Sequence, residues 1–156
     1  MTAKSSISAA LFGAAAVLLA VPMTAQADLP GRHPGFLHAL SDLRAARWLI
    51  THRAGDAKIS AHEDAAVQDI VAAISDIQRA SIDDGKNLDD HPATDAPPSR
   101  EGRLKRAQEL LTQAHHDVNQ PDSDPMTIEL KKVALKNIQD ATHEVDGALW
   151  DATHGH

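Results

Sequence analysis

Residues 60–85 read SAHEDAAVQDIVAAISDIQRASIDDG and decide the fold class, because one amphipathic helix can be followed through most of them. Ser60 and Glu63 form the S-x-x-E pattern of a capping box, in which each side chain bonds the other residue's backbone N–H. Apolar side chains then recur at three- and four-residue spacing: Val67, Ile70, Ile74 and Ile77. Gly85 is typical of a left-handed C-cap. The stretch predicts a helix over residues 60–84.

Three further segments repeat this helical period on either side. The first is predicted over residues 34–53, with Pro34 in its first turn. The others cover residues 100–118 and 125–152, and Pro125 suits the first position of the last one. Strand-like alternation is not seen in the sequence. Four amphipathic helices, with short links at two of the three junctions, predict an all-α, up-down-up-down four-helix bundle.

The link between the second and third helices differs from the other two in its length and composition. Residues 86–99 contain Pro92, Pro97 and Pro98 together with several acidic residues, which predicts a loop. This loop is longer than most connections in compact domains, and loops of that length are often functional or mobile.

The N-terminal residues 1–27 have the layout of a secretory signal peptide. Lys4 precedes an apolar run, and the small-residue sequence Ala25-Gln26-Ala27 resembles a cleavage site. A membrane anchor is the competing interpretation, although the apolar run is at the short edge of the spanning range. We expect cleavage, which leaves residues 28–156 as a single helical-bundle domain, periplasmic or secreted and no longer in contact with the membrane.

The composition of the chain excludes several kinds of binding site and partner. The chain has no cysteine, so disulfides, thiolate metal sites and a lipid-modified N-terminal cysteine are excluded. Its formal net charge of −7 argues against nucleic acid and anionic membranes as partners, because both need clustered Lys and Arg. Ten histidines are the main anomaly in a chain of 156 residues.

Topology suggests where these histidines gather. In an up-down-up-down bundle the first helix begins, the second ends, the third begins and the fourth ends at one pole. That pole is predicted to collect five histidines: His33, His38, His91, His154 and His156. The opposite pole is predicted to collect the others near helix ends: His52, His62, His115 and His116. A metal site requires such side chains to converge within a few ångströms.

The fourth helix carries a repeat, since Asp140-Ala141-Thr142-His143 recurs as Asp151-Ala152-Thr153-His154. Each carboxylate lies three residues before its imidazole, as in the carboxylate-x-x-His units of metal-binding bundles. Imidazole and carboxylate ligands suit zinc, copper or nickel. The predicted metal ligands are therefore His38, His91, Asp140, His143, Asp151, His154 and His156.

Two other functions remain open. Asp and His three or four residues apart also form ordinary surface pairs, so the chain fits an interaction or stress-protective module whose histidines act as a reserve of charge. An enzyme has less support, because no nucleophile with its base is visible and His143-Glu144 lacks the second histidine of the H-E-x-x-H pattern. The sequence indicates no cofactor beyond a possible metal ion and no particular protein partner.

Two stretches carry a resemblance. Residues 33–44, HPGFLHALSDLR, and residues 82–92, IDDGKNLDDHP, resemble exported helical proteins of soil bacteria without an assigned function. In overall design, an exported, cysteine-free, histidine-rich bundle, the chain is also similar to the periplasmic small metal-binding protein. The first resemblance implies an exported helical domain, and the second implies metal binding.

Overall fold

The computed structural model describes residues 33–52, 60–81, 97, 99–121 and 125–155. As predicted, these residues form a four-helix bundle, and the described ranges contain no strand. The helices are α1, Pro34–Thr51; α2, Ala61–Ala80; α3, Arg100–Val118; and α4, Pro125–His154. The predicted leader, residues 1–27, lies outside the described residues, as does most of the predicted loop 86–99.

The helix ends follow from local hydrogen bonds. The predicted capping box opens α2, since Ser60 Oγ accepts from Glu63 N at 3.2 Å and Ser60 N donates to Glu63 Oε2 at 2.9 Å. α2 ends at Ala80, earlier than predicted, and the hydroxyl of Ser81 donates to the carbonyl of Ile77 at 2.9 Å. α4 runs beyond its predicted end to His154.

The core is aliphatic and rich in alanine. Small side chains let the helix backbones approach closely, while each fully buried Leu or Ile contributes about 1.5–3 kcal/mol through removal from water. The largest fully buried apolar side chains come from all four helices: Leu40, Leu43, Leu49, Ile50, Ile70, Ile77, Leu104, Leu111, Val118, Ile138 and Val145.

Close approaches fix the directions of the helices. A Cβ at Gly35, at the start of α1, would lie 2.5 Å from the carbonyl oxygen of Asp117 near the end of α3, so α1 and α3 are antiparallel. His62 at the start of α2 packs on Gly147 in the last third of α4, where a Cβ would lie 2.8 Å from its Nδ1. α2 and α4 are therefore antiparallel too.

The third interface completes the topology. α3 and α4 are antiparallel, because Gln108 donates to Asp146 and Gln139 contacts His115. The directions along the chain are thus up, down, down, up. We call the end of the bundle where α1 and α4 end and α2 and α3 begin the upper pole, and the opposite end the lower pole.

The predicted up-down-up-down order is wrong, and the link between α2 and α3 explains why. Ser81 follows α2 at the lower pole, whereas Ser99 precedes α3 at the upper pole. The 20-residue α2 is about 30 Å long. A chain as long as residues 82–98 can cover that distance, because an extended backbone spans about 3.3 Å per residue. Such a link does not dictate the direction of the next helix.

The four helices are arranged with approximate twofold symmetry. α1 packs mainly on α3 and α2 mainly on α4, with smaller interfaces between α1 and α2 and between α3 and α4. α1 and α4 therefore occupy opposite corners, as do α2 and α3. An axis along the bundle exchanges the members of each diagonal pair, which run in the same direction.

A buried ion pair ties the two helices that begin at the upper pole. Glu63 of α2 is 2% exposed, and Arg100 of α3 donates to both of its carboxylate oxygens, from Nε at 3.1 Å and from a terminal nitrogen at 3.2 Å. This two-bond geometry is the strongest form of Arg–carboxylate pairing. Glu63 therefore closes the capping box of α2 and also links the diagonal from α2 to α3.

An engineered pair of cysteines tests the direction of α2 relative to α4. The chain has no cysteine of its own, so any disulfide must join the two introduced residues. We expect His62→Cys combined with Gly147→Cys to form a disulfide under mild oxidation, seen as faster migration on a non-reducing gel. The first substitution removes the ring that a Cβ at position 147 would meet. The control pair, His62→Cys with Lys132→Cys, joins opposite halves of the bundle and stays reduced. A disulfide in the control pair and none in the first pair would show that α2 and α4 are parallel.

Removal of Arg100 tests the ion pair. Arg100→Ala leaves the carboxylate of Glu63 buried without this partner, so we expect the free energy of unfolding to fall by about 2 kcal/mol. The matched control is Lys105→Ala, which breaks an exposed pair with Glu101 and is expected to cost less than about 0.5 kcal/mol. Urea denaturation measures both. Equal losses would show that Glu63 does not depend on Arg100.

Candidate functional site: a groove between α3 and α4

An open groove lies between α3 and α4 in the described part of the chain, with a volume of about 390 Å³. Both helices supply polar side chains to it: Thr112, His115, Gln139, Thr142, His143 and Asp146. The antiparallel register brings these residues together, since α3 descends while α4 ascends. The groove therefore combines two imidazoles and one carboxylate from two helices.

Hydrogen bonds orient the groove lining. The side-chain amide of Gln139 lies 3.2 Å from Nε2 of His115, and the amide of Gln108 donates to the carboxylate of Asp146. The hydroxyl of Thr142 donates to the carbonyl of Ile138 at 2.8 Å, which leaves its oxygen lone pairs as acceptors. His115 is half-buried, whereas His143 and Asp146 are exposed.

Only one of the predicted metal ligands, His143, lines this groove. Asp140, three residues earlier, instead forms an ion pair with Lys136. In the second copy of the repeat, Nδ1 of His154 lies 2.9 Å from the carbonyl oxygen of Trp150. The structure thus gives Asp140 and His154 partners other than those that the repeat predicted.

The remaining predicted ligands are spread over the molecule. His38 is exposed on α1. Burial and then the charge of Asp117 raise the pKa of nearby Asp42, while Arg106 and, less strongly, His38 oppose the shift. Asp151 follows Gly147 by about one turn of α4, and its charge adds to the raised pKa of His62. His91 and His156 are outside the described residues.

The predicted grouping of histidines at the two poles is wrong for those of α3 and α4, because it assumed the wrong direction for both helices. The lower pole and the half of the bundle next to it hold His33, His38, His115 and His116. The upper pole holds His52, His62 and His154. His38 and His154, which were expected to share a site, therefore lie at opposite ends. Within the described ranges, no three His, Asp or Glu side chains stand close enough together to hold a metal ion.

The second polar surface is the seam between α2 and α4. The imidazole of His62 lies on the backbone of Gly147, and its Nδ1 is 2.7 Å from Oε2 of Glu144. This hydrogen bond raises the pKa of His62; desolvation opposes the rise to a smaller extent, and the charges of Glu144 and then Asp151 add to it. A side chain at position 147 would displace the ring.

Further down the seam, acidic residues from both helices face each other. Burial, followed by the charges of Asp140 and Glu144, raises the pKa of Asp69, while Lys136 opposes the shift. Nearer the lower pole, the carboxylate of Asp76 is buried and accepts bonds from Arg79 and Asn137. The seam is therefore a polar strip next to an aliphatic core.

Sequence reasoning missed the two central parts of these surfaces. His115 and Asp146 gave no local pattern, because they belong to different helices that meet only in the folded chain. The pair of His62 and Glu144 had one visible sign, namely Gly147. Glycine inside a helix costs about 1 kcal/mol relative to alanine, so its presence indicates a close approach.

Comparisons with protein-family models, with curated proteins and with solved structures find no match to this chain. None of the helices in the described ranges is long and apolar enough to cross a membrane.

The pair of His62 and Glu144 predicts a pH-dependent contribution to stability. Because folding raises the pKa of His62 above its unfolded value, the contribution is complete below about pH 6.5 and disappears as the pH rises through the folded-state pKa. We expect Glu144→Gln to lower the free energy of unfolding at about pH 5.5 and to have little effect at about pH 9.

Urea denaturation at the two pH values measures this difference. Gly147→Ala should remove the same pH dependence, because its methyl group meets the ring. The control is Glu129→Gln, which affects an exposed acid paired with Lys132 at 2.6 Å on the same helix. A loss in Glu144→Gln that is equal at both pH values would contradict the role of His62.

Proposed function

We propose that this chain is an exported protein that binds a divalent transition-metal ion, zinc, copper(II) or nickel, in the groove between α3 and α4. One observation carries the proposal: His115, His143 and Asp146 line a single open space at the meeting of two helices. Imidazole nitrogen and carboxylate oxygen are ligands that these metals accept.

We expect side-chain rotation to close the groove around an ion, because the three ligands do not converge in the structure as it stands. His143 and Asp146 are exposed, so they can change rotamer without disturbing the core. His115 already directs Nε2 towards Gln139, and a metal ion would take the place of that amide. Because Gln139 and Gln108 must be displaced, we expect binding in the micromolar range, which suits buffering better than a permanent structural site.

The proposed location outside the cytoplasm rests on residues 1–27, which carry the charge, apolar run and small-residue site of a secretory leader. The absence of cysteine is compatible with an oxidising compartment. In such a compartment, histidine and carboxylate ligands remain functional where free thiols would be oxidised.

A second function is favoured by a different observation. All eight described histidines are exposed or half-exposed, so each can take up a proton without being transferred from an apolar interior. On this alternative the chain is an interaction or stress-protective module, whose net charge of −7 falls towards zero as the histidines become protonated in acid.

Calorimetric titration of the purified, tag-free chain with zinc, copper(II) and nickel separates the two functions. We expect one groove ion bound at pH 7.5 with micromolar affinity and much weaker binding at pH 5.5, because protonated imidazole is not a ligand. His115→Ala and His143→Ala should each weaken this binding by about tenfold or more, equivalent to about 1.4 kcal/mol.

The matched control is His116→Ala, which removes an exposed imidazole next to His115 but outside the groove. This variant should bind like the parent chain. Binding weaker than millimolar in the parent chain would reject the metal proposal and leave the charge-reserve function. Tight binding that does not change in the His115 and His143 variants would reject the groove as the site.

A further inference from the structure

α1 and α4 end in the same five-residue pattern, W-x-x-T-H. Residues 48–52 read WLITH and residues 150–154 read WDATH. These two segments contain both tryptophans of the chain. They also lie on the two helices that end at the upper pole, at opposite corners of the bundle.

The two copies have the same side-chain geometry. The ring of His52 stacks on that of Trp48 with 4.2 Å between centres, and the ring of His154 stacks on that of Trp150 with 4.4 Å between centres. In each copy Nδ1 approaches the carbonyl oxygen of the tryptophan, at 3.2 Å in the first and 2.9 Å in the second.

The preceding threonines match as well. The hydroxyl of Thr51 lies 3.2 Å from the carbonyl oxygen of Trp48, and the hydroxyl of Thr153 lies 3.0 Å from that of Trp150. The pattern is therefore repeated in the structure as well as in the sequence.

This geometry prepares both imidazoles as metal ligands. A carbonyl oxygen only accepts hydrogen bonds, so we assign the ring proton to Nδ1, which places the lone pair of the neutral ring on Nε2. Metal-binding histidines are commonly held in this way, with the second nitrogen donating to a backbone carbonyl. Both residues are exposed, and Trp150 is 53% exposed.

The two imidazoles lie at the same level of the bundle. Gly35 of α1 and Asp117 of α3 are in contact near the lower pole. From this contact, His52 is the same number of residues along α1 as Arg100 is along α3, so His52 and Arg100 lie level. The register of α3 on α4, given by the contacts of Gln108 and His115, places His154 level with Arg100 as well. The approximate twofold axis thus relates the two imidazoles.

We expect the two imidazoles of one chain to bind separate ions. Neighbouring helix axes are about 8–10 Å apart, which gives about 11–14 Å across the diagonal. A metal ion with Zn–N bonds of about 2 Å spans about 4 Å between two nitrogens. Each ring is stacked on the tryptophan of its own helix, so we infer that a second nitrogen ligand for each ion comes from another molecule.

We propose that two copies of this chain associate through their upper poles, with divalent transition-metal ions bridging His52 and His154 of one copy to the same pair of the other. The twofold relation between the two imidazoles lets both bridges form at once, which gives two ions per dimer and a closed, self-complementary contact. This site is separate from the groove, so the inference does not depend on the proposed function.

Charge explains why the association needs a metal. Each chain has a formal net charge of −7, and two such chains repel each other at neutral pH. Two divalent cations at the contact offset part of this repulsion. They would also lie next to the carboxyl ends of α1 and α4, where the helix dipole favours positive charge.

Sedimentation equilibrium of the full, tag-free chain at pH 7.5, with zinc and then with excess EDTA, tests the inference. We expect the mass of one chain with EDTA and of two chains with at least two equivalents of zinc per chain. His52→Ala and His154→Ala should each weaken dimerisation by about tenfold or more, and the double variant should remain monomeric. The matched control, His38→Ala with His116→Ala, removes exposed imidazoles outside the upper pole and should dimerise.

Fluorescence locates the ions independently, because copper(II) quenches an indole in contact with its ligand. In a background of His115→Ala and His143→Ala, which disables the groove, copper should still quench Trp48 and Trp150, and zinc should still produce dimers. Adding His52→Ala and His154→Ala should abolish both effects. A chain that stays monomeric with zinc, or a dimer that survives the loss of His52 and His154, would overturn the inference. Calorimetric binding in the His115 and His143 variants tests the proposed function only, and dimerisation with zinc tests this inference.

Discussion

The parallel, diagonal placement of α2 and α3 is the constraint on which the rest of the structure depends. Both helices begin at the upper pole, where Arg100 reaches the buried carboxylate of Glu63. Their partners α1 and α4 must then both end at that pole, since each packs antiparallel to its main neighbour. The approximate twofold symmetry, the groove and the paired histidines at the upper pole all follow from this arrangement.

α4 is the helix through which both polar surfaces are organised. One side of it presents His143 and Asp146 to the groove beside α3, and the other presents Glu144 and Gly147 to His62 of α2. Successive residues of a helix are about 100° apart, so neighbours in sequence serve different surfaces. His143 and Glu144, adjacent in the chain, therefore belong to two separate sites.

Buried and exposed polar groups have different roles in this bundle. Glu63 and Asp76 are buried and bonded to arginine or asparagine, as expected for charges that have left water. The described histidines all keep contact with solvent, and several are oriented through Nδ1 by a fixed oxygen atom. The acids and bases in the interior hold the fold, whereas the imidazoles on the surface remain available for protons or metal ions.

Local sequence patterns were sufficient to predict four helices, the capping box at Ser60 and the absence of strands from the described ranges, because helical period and capping depend on residues only a few positions apart. They did not determine the direction of α3, since residues 82–98 are long enough to reach either pole. Spacing within α4 also could not show which residues of α2 and α3 lie beside it. His115 and His143 line one groove, and His62 rests on Gly147, because the tertiary structure decides which helices meet and in which register.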